Sequence, residues 1–269
     1  MGEMRYALLD TDFISKTHRI VKSDSENLLD LIISMPRYKF FCHEQIKIEL
    51  SRHNIAGAPE WLENAEDTNK VMCYTDGMIL NELSEYYGDN APLMYSNMLK
   101  TGCDAYSSGY FETNFREISE LDYTEVSISE FLGKLDLDCK SIGEGNNLGE
   151  LKSYVLLQFL SFLYGKQIYV FCSDDKNARN GVTGISGARC ISVLSSFMRL
   201  IDETGMTQAE ATPYIQSWLQ FLATVKQTEF KVEEKGKVRR MTCVPCGQVL
   251  NEIFDGKFEE LSNGNLKYK

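Results

Sequence analysis

Residues 5–12 read RYALLDTD, an apolar run of strand character that ends in two aspartates. Comparable apolar runs lie at 38–42, 168–172 and 190–193. Segments of helical periodicity separate these runs, and such alternation is typical of βαβ units that build a parallel sheet. The sequence therefore predicts an α/β protein with three layers (α/β/α), in which helices cover both faces of a central, mainly parallel sheet.

The helices are predicted from apolar spacing and from end signals. They cover residues 27–34, 44–53, 147–164, 195–203 and 207–224. Pro36 stops the first of them, Gly165 ends the third, and Thr207 with Glu210 forms a capping pair at the start of the last. Strands and helices thus alternate along the first fifth of the chain and again in its second half.

The composition is that of an ordinary globular protein. Of 269 residues, 43% are apolar and 25% are charged, and the net charge of −11 excludes a broadly basic coat for nucleic acid. No stretch has the features of a signal peptide, and the most apolar window, at 151–164, is too short and too polar to span a membrane. Cys243 and Cys246 have metal-binding spacing, but a structural zinc site would need a second pair of ligands. We therefore expect a cytoplasmic protein without a membrane segment.

The excess of acidic residues is concentrated in one part of the chain. Residues 66–150 carry 17 acidic and 5 basic side chains, a net charge of −12, whereas the flanking parts are close to neutral. We therefore predict a discontinuous domain at 1–65 and 143–224, an acidic, mainly helical insertion at 66–142, and a basic hairpin with a C-terminal tail at 225–269. The insertion could be a solvated helical element, cover a site, bind a protein partner or mimic a nucleic-acid strand.

Carboxylates follow the predicted strands at the ends where ligands bind in an open parallel sheet. These side chains are Asp10, Asp12, Glu44, Glu49, Glu150, Asp174 and Asp175. Such a group repels itself unless divalent cations neutralise it, and hard oxygen ligands select Mg²⁺ or Mn²⁺. Each acid also has an ordinary interpretation, because aspartates cap helices, a glutamate on a helix surface is solvated, and Glu150 would stabilise a helix N-terminus.

Five short motifs resemble PIN-domain nucleases in their order and structural positions. They are LLDTDFI at 8–14, Glu49-Leu50, Gly149-Glu150, SDDKNAR at 173–179 and GARCISV at 187–193. The chain departs from the family at Asp12, where Asn or Ser is usual, and at Glu150, where many members have Asp. The resemblance covers about residues 1–55 and 143–224, and it implies a PIN-like fold for that part.

The resemblance also implies a function, which is metal-dependent hydrolysis of phosphodiester bonds. Asp10, Glu49, Glu150 and Asp175 would hold one or two Mg²⁺ or Mn²⁺ ions, and Asp12, Asp174 or Glu44 could join them. Family members cleave RNA endonucleolytically and leave 5′-phosphate and 3′-hydroxyl ends. We therefore expect an endoribonuclease that acts on single-stranded or structured RNA, with DNA as the less favoured substrate.

An acidic nuclease needs local basic or hydroxyl groups to bind a polyanion. Candidates beside the acids are Thr11, Ser173, Lys176 and Arg179. A further candidate is the segment 230–240, which is predicted to form a hairpin that turns near Gly236. Its basic side chains include Lys237, Arg239 and Arg240. The same hairpin could equally be a solvated edge whose charges prevent aggregation.

Two other functions are open at this point. An adaptor would keep the nuclease-like fold and bind RNA or protein without cleaving it. A phosphatase of the haloacid-dehalogenase type would use Asp10 as nucleophile and Asp12 as acid or base, but Ile14 stands where that family has Thr or Val, and Glu49 and Glu150 would have no role. A homodimer is also left open.

Overall fold

The centre of the computed structural model is a sheet of five parallel strands. The structure describes residues 3–23, 26–143, 147–165, 168–224, 231–234, 237–240 and 246–269. The strands are β1 (Arg5–Leu9), β2 (Val21–Ser23), β3 (Glu26–Asn27), β4 (Tyr38–His43), β5 (Val71–Tyr74), β6 (Ile168–Cys172), β7 (Arg189–Ile191), β8 (Lys231–Glu234), β9 (Lys237–Arg240), β10 (Phe258–Glu260) and β11 (Leu266–Tyr268). The central sheet has the order β5-β4-β1-β6-β7, and all its neighbouring strands are parallel. The predicted α/β class is confirmed.

Helices lie on both faces of this sheet. They are α1 (Thr11–Arg19), α2 (Leu28–Ile33), α3 (Glu44–Arg52), α4 (Ala58–Asp67), α5 (Asp76–Tyr87), α6 (Ala91–Tyr106), α7 (Tyr110–Asn114), α8 (Arg116–Ser119), α9 (Ile128–Ile142), α10 (Leu148–Tyr164), α11 (Lys176–Ser186), α12 (Val193–Thr204), α13 (Gln208–Thr224) and α14 (Cys246–Phe254). Within the described ranges, no helix is long and apolar enough to cross a membrane.

Alternate residues of β1 point into two separate apolar cores. Ala7 and Leu9 belong to a core with helices α1 to α4 and α12 to α14, whereas Tyr6 and Leu8 belong to a core with helices α5 to α11. This alternation follows from the two-residue period of a strand, and it explains why the four residues of β1 after Arg5 are all apolar. The sheet is therefore the middle of three layers.

Where the sequence patterns predict the bounds of an element, the structure agrees to within two or three residues. Both β1 and β6 have the predicted bounds, and α10 ends before Gly165, whose φ of +69° is the left-handed conformation that glycine favours. The predicted capping pair is present, since the Thr207 amide donates to the Glu210 carboxylate and the Glu210 amide to the Thr207 hydroxyl. The patterns do not predict β5, which lies in the segment that the charge distribution assigns to the acidic insertion.

The position of β5 changes the predicted boundary of the acidic insertion. Because β5 pairs with β4 in the central sheet, the insertion begins after Tyr74 rather than at residue 66. From there to residue 142 the regular elements are all helices. Its apolar residues, among them Tyr95, Leu99 and Phe131, share one core with α10 and with Leu8 of the central strand. The insertion is therefore an integral part of one face of the protein.

The C-terminal segment at 246–269 packs on the opposite core. Ile253, Phe258 and Leu266 are buried there with residues of the central sheet. The backbone N–H of Cys190 in edge strand β7 donates to the carbonyl of Ser262 at 2.7 Å, so this segment also covers the sheet edge. The predicted division at residue 224 therefore does not separate two cores.

The predicted basic hairpin is present as a backbone element. Strands β8 and β9 pair antiparallel, with Lys231 opposite Arg240 and Glu234 opposite Lys237. The side chains of Lys237, Arg239 and Arg240 lie outside what the structure describes, as do Gly236 and Cys243. Their predicted contact with nucleic acid stays a prediction.

We expect Phe258→Ala to destabilise the whole protein, because the side chain is only 2% exposed in the main core. Removing a buried phenyl ring costs about 3–5 kcal/mol. Urea unfolding followed by circular dichroism measures the change, and Leu137→Ala, at a side chain that is 54% exposed, is the control. Equal midpoints for the two variants would mean that the C-terminal segment does not belong to the core.

Candidate active site

The candidate site lies where the direction of the chain connections reverses. From β1 the chain continues to β4 on one side of it, and from β6 the chain continues to β7 on the other side. Such a reversal opens a crevice at the carboxyl ends of the two central strands. A pocket of about 320 Å³ is found there. Of the predicted acids, Asp10, Asp12, Glu49, Glu150 and Asp175 all line it.

Asp10 directly follows β1 and is almost completely buried, with 4% of its surface exposed. It stands at the N-cap position of α1, but its side chain does not cap the helix. Instead, its Oδ2 accepts a hydrogen bond of 2.7 Å from the Ser173 hydroxyl. Burial raises the pKa of Asp10 to about 7, against the effect of the Ser173 hydrogen bond, and the charges of Asp12 and Glu49 raise it further. The charged form of Asp10 is therefore destabilised in this site, and a bound cation would stabilise it.

Glu49 is fixed at both of its carboxylate oxygens. Oε2 accepts a hydrogen bond of 2.6 Å from the Thr11 hydroxyl, and Oε1 accepts one of 2.8 Å from the Gly149 amide. A Cβ atom on Gly149 would lie only 2.5 and 2.6 Å from these two oxygens. Glycine is therefore required for Glu49 to approach helix α10 in this way. The sequence motif contains Gly149, but only the structure shows what it contacts.

Glu150 lines the pocket and has one buried carboxylate oxygen. Its Oε2 has no hydrogen-bond partner among the described residues. Burial raises the pKa of Glu150 to about 8, and the charges of Asp10, Asp175 and Glu49 add to the effect. A buried carboxylate oxygen without a partner costs free energy, so a proton or a cation is needed to stabilise it.

Asp12 and Asp174 share one lysine. The Lys16 ammonium lies 2.9 Å from an oxygen of each carboxylate. The other oxygen of Asp174 accepts a hydrogen bond of 3.2 Å from the Val193 amide at the start of α12. Burial raises the pKa of Asp12, and Lys16 opposes this shift. Asp174 does not line the pocket, so of the two acids only Asp12 is available there.

Asp175 caps a helix and also lines the pocket. Its Oδ1 accepts hydrogen bonds from the Asn177 and Ala178 amides, at 2.6 and 3.0 Å, and thereby caps α11. The residue is exposed and also lines the pocket. The cap holds the carboxylate at the pocket wall, so one residue can serve both roles.

The predicted substrate-binding residues have other partners in this structure. The Thr11 hydroxyl donates to Glu49, and the Ser173 hydroxyl donates to Asp10 and accepts a hydrogen bond of 3.1 Å from the Asp175 amide. Both hydroxyls therefore orient acids. Arg179 is 6% exposed and donates to the carbonyls of Ser173 and Asn263, both at 2.9 Å. The expectation that Arg179 contacts phosphate is therefore not supported, because its guanidinium is buried against the C-terminal segment. Lys176 is exposed at the start of α11.

A second polar cluster lies at the same edge of the sheet, after β4 and β5. His43, Glu44 and Asp76 come close enough to hold a metal ion. However, the buried Lys152 ammonium lies 2.7 Å from Asp76 and donates 3.0 Å to the hydroxyl of Tyr95, which also bonds Asp76. Burial alone would raise the pKa of Asp76, but Lys152 and His43 hold it well below its usual range. Lys152 thus already supplies the positive charge in this cluster, which the sequence motifs do not predict.

Comparison with known proteins adds no relative. No protein-family model matches the chain, and no curated protein or solved structure matches it. The resemblance to PIN-domain nucleases therefore stays a prediction that rests on the motifs.

We expect Gly149→Ala to displace Glu49 while the protein still folds, because the clashing atoms are the far end of a flexible side chain. Loss of one oriented ligand weakens metal binding by roughly 10-fold or more. Titration with Mn²⁺, followed by calorimetry, measures the change. Gly133→Ala is the control, since a Cβ there meets nothing within 4 Å. Equal Mn²⁺ affinities in the two variants would contradict the role of Gly149.

The raised pKa values of Asp10 and Glu150 predict a pH-dependent stability. Between about pH 4.5 and pH 8 the folded protein holds protons that the unfolded chain has released, so the free energy of unfolding falls as pH rises. A loss of a few kcal/mol corresponds to roughly 5–10 °C in Tm for a chain of this size. Mn²⁺ should restore more of the Tm at pH 8 than at pH 5.5, because only the charged carboxylates bind it.

Calorimetric melting of the metal-free protein across this pH range checks the prediction. In Glu150→Gln the dependence should be weaker, since one of the two titrating groups is gone. A Tm that rises with pH and does not respond to Mn²⁺ would contradict it.

Proposed function

We propose that the chain is a metal-dependent nuclease of the PIN type that cleaves phosphodiester bonds in RNA. The observation that carries the proposal is that Glu150, which has a buried carboxylate oxygen without a hydrogen-bond partner, lines one pocket with Asp10, Glu49 and Asp175. Five carboxylates line this pocket against two basic side chains, so further positive charge is needed to balance the acids. The second cluster at the sheet edge, by contrast, has Lys152.

The donor set fits Mg²⁺ or Mn²⁺. The four acids offer hard oxygen ligands, which these cations prefer, and no cysteine is among the described lining residues. When bound, the cation supplies the charge that activates water and stabilises the leaving oxygen. The pocket would hold one or two such ions.

The side chains of this protein prepare the acids for that role. The Ser173 hydroxyl orients Asp10, and Thr11 with the Gly149 amide orients Glu49. Asp12 lines the same pocket and is half-buried, with Lys16 on one of its oxygens. These hydrogen bonds fix the ligands before any substrate binds, which lowers the cost of assembling the site.

RNA is proposed as the preferred substrate over DNA only because of the resemblance to the family. The basic strands β8 and β9 are candidates for contact with the polyanion, and the acidic insertion is a candidate surface for a protein partner. The adaptor and the phosphatase are the two other functions, and the assay below separates them from the nuclease.

We expect purified protein to cleave fluorescent RNA in the presence of Mn²⁺ or Mg²⁺ and not in EDTA. Asp10→Asn and Glu150→Gln should each lower the rate by about 100-fold or more, because each removes a charged ligand worth about 3 kcal/mol or more. Glu44→Gln is the matched control, since Glu44 lies at the same sheet edge but does not line the pocket. Matched single-stranded DNA identifies the preferred polymer.

Three outcomes would contradict the proposal. An equal loss of cleavage rate in Glu44→Gln would indicate that the metal binds at the second cluster. RNA binding without cleavage would favour the adaptor. Turnover of small phosphate esters, with RNA left intact, would favour the phosphatase.

A further inference from the structure

The C-terminal end of helix α3 forms a basic wall of the acidic pocket. Arg52 and His53 are exposed, and both line the same pocket as Asp10 and Glu150. Among the described residues that line this pocket, they are the two with basic side chains. The sequence motifs do not single out either residue.

Helix geometry sets these two residues beside Glu49. Arg52 and His53 follow Glu49 by three and four positions, so the three side chains share one face of the helix. The backbone of the basic pair therefore lies about one helical turn, or 5.4 Å, beyond that of Glu49.

The end of α3 is held in place by backbone contacts. Asn54 has a φ of +50°, in the left-handed region, and the Ile55 amide donates to the carbonyl of Leu50. The last carbonyls of a helix carry a partial negative charge, which repels phosphate. Any contact of a phosphate with this wall therefore has to be made by the side chains of Arg52 and His53.

Two other cations near the acids are bound to groups of the protein. Lys16 is bound between Asp12 and Asp174, and Arg179 is buried against the carbonyl of Ser173. Arg52 also interacts within the protein. A guanidinium carries five N–H donors, so this interaction and a phosphate contact are compatible.

We propose that Arg52 and His53 form a subsite for the phosphate next to the scissile phosphodiester of a single-stranded nucleic acid. This inference rests on the proposed nuclease function, since it takes the acidic pocket as the place of cleavage. The strand would pass from the acids along the end of α3. The pair acts in substrate binding, and metal binding should not depend on it.

The test measures binding and cleavage separately. Binding is followed by fluorescence anisotropy with a short labelled oligouridylate, and with oligothymidylate as the DNA counterpart, in an Asp10→Asn background that blocks cleavage. Arg52→Gln should weaken binding about 5- to 10-fold at low salt, and it should reduce the slope of log K against log salt by about 0.7, the value for one phosphate contact on a single strand. His53→Gln should weaken binding by a smaller factor.

Lys47→Gln is the matched control. Lys47 lies on the same helix, is paired with Glu63 at 2.9 Å and does not line the pocket. It should change affinity less than twofold. In the otherwise unchanged protein, Arg52→Gln should raise KM while the Mn²⁺ affinity, measured by calorimetry, stays the same.

Different results overturn the subsite and the nuclease function. If the unaltered protein cleaves RNA but Arg52→Gln and Lys47→Gln bind alike, the subsite is wrong and the nuclease stands. If nothing is cleaved but Arg52→Gln still weakens binding with the smaller salt slope, the subsite stands on an adaptor. If neither oligonucleotide binds, both proposals are wrong.

Discussion

Glu49 occupies the space beside Gly149 that any side chain would fill, and it accepts hydrogen bonds there from Thr11 and from the Gly149 amide. This contact joins α1, α3 and α10, three helices that begin far apart in the chain. The residue that follows Gly149 is Glu150, so the same contact sets the start of α10 against the end of β1, where Asp10 lies. The acidic pocket depends on this close approach of a carboxylate to a helix backbone.

The protein stabilises two groups of buried acids at one sheet edge by different means. In the second cluster Lys152, Tyr95 and His43 surround Asp76, so its charge is compensated within the protein. Glu150, by contrast, has one buried carboxylate oxygen without a hydrogen-bond partner among the described residues, and burial raises the pKa of its carboxyl. This contrast indicates a structural role for the second cluster and supports the proposal that the acidic pocket binds a cation.

Both segments that lie outside the predicted nuclease core help to hold the site. The insertion contributes Asp76 and Tyr95, which bind Lys152 on α10, two residues after Glu150. The C-terminal segment contributes the carbonyl of Asn263, which binds Arg179, and Arg179 in turn binds the carbonyl of Ser173. The insertion and the C-terminal segment therefore stabilise the site from opposite faces of the sheet, and both segments are packed into the fold.

The sequence by itself determined the local parts of this protein. Strand β1 with Asp10 at its end, strand β6, helix α10 and its stop at Gly165 all follow from apolar periodicity and end signals, which act over a few neighbouring residues. Only the tertiary structure decided which acids share a pocket. It paired Asp174 with Lys16 and buried Arg179 in the C-terminal segment. These contacts join residues far apart in the chain, and long-range packing leaves no period in the sequence from which they could be predicted.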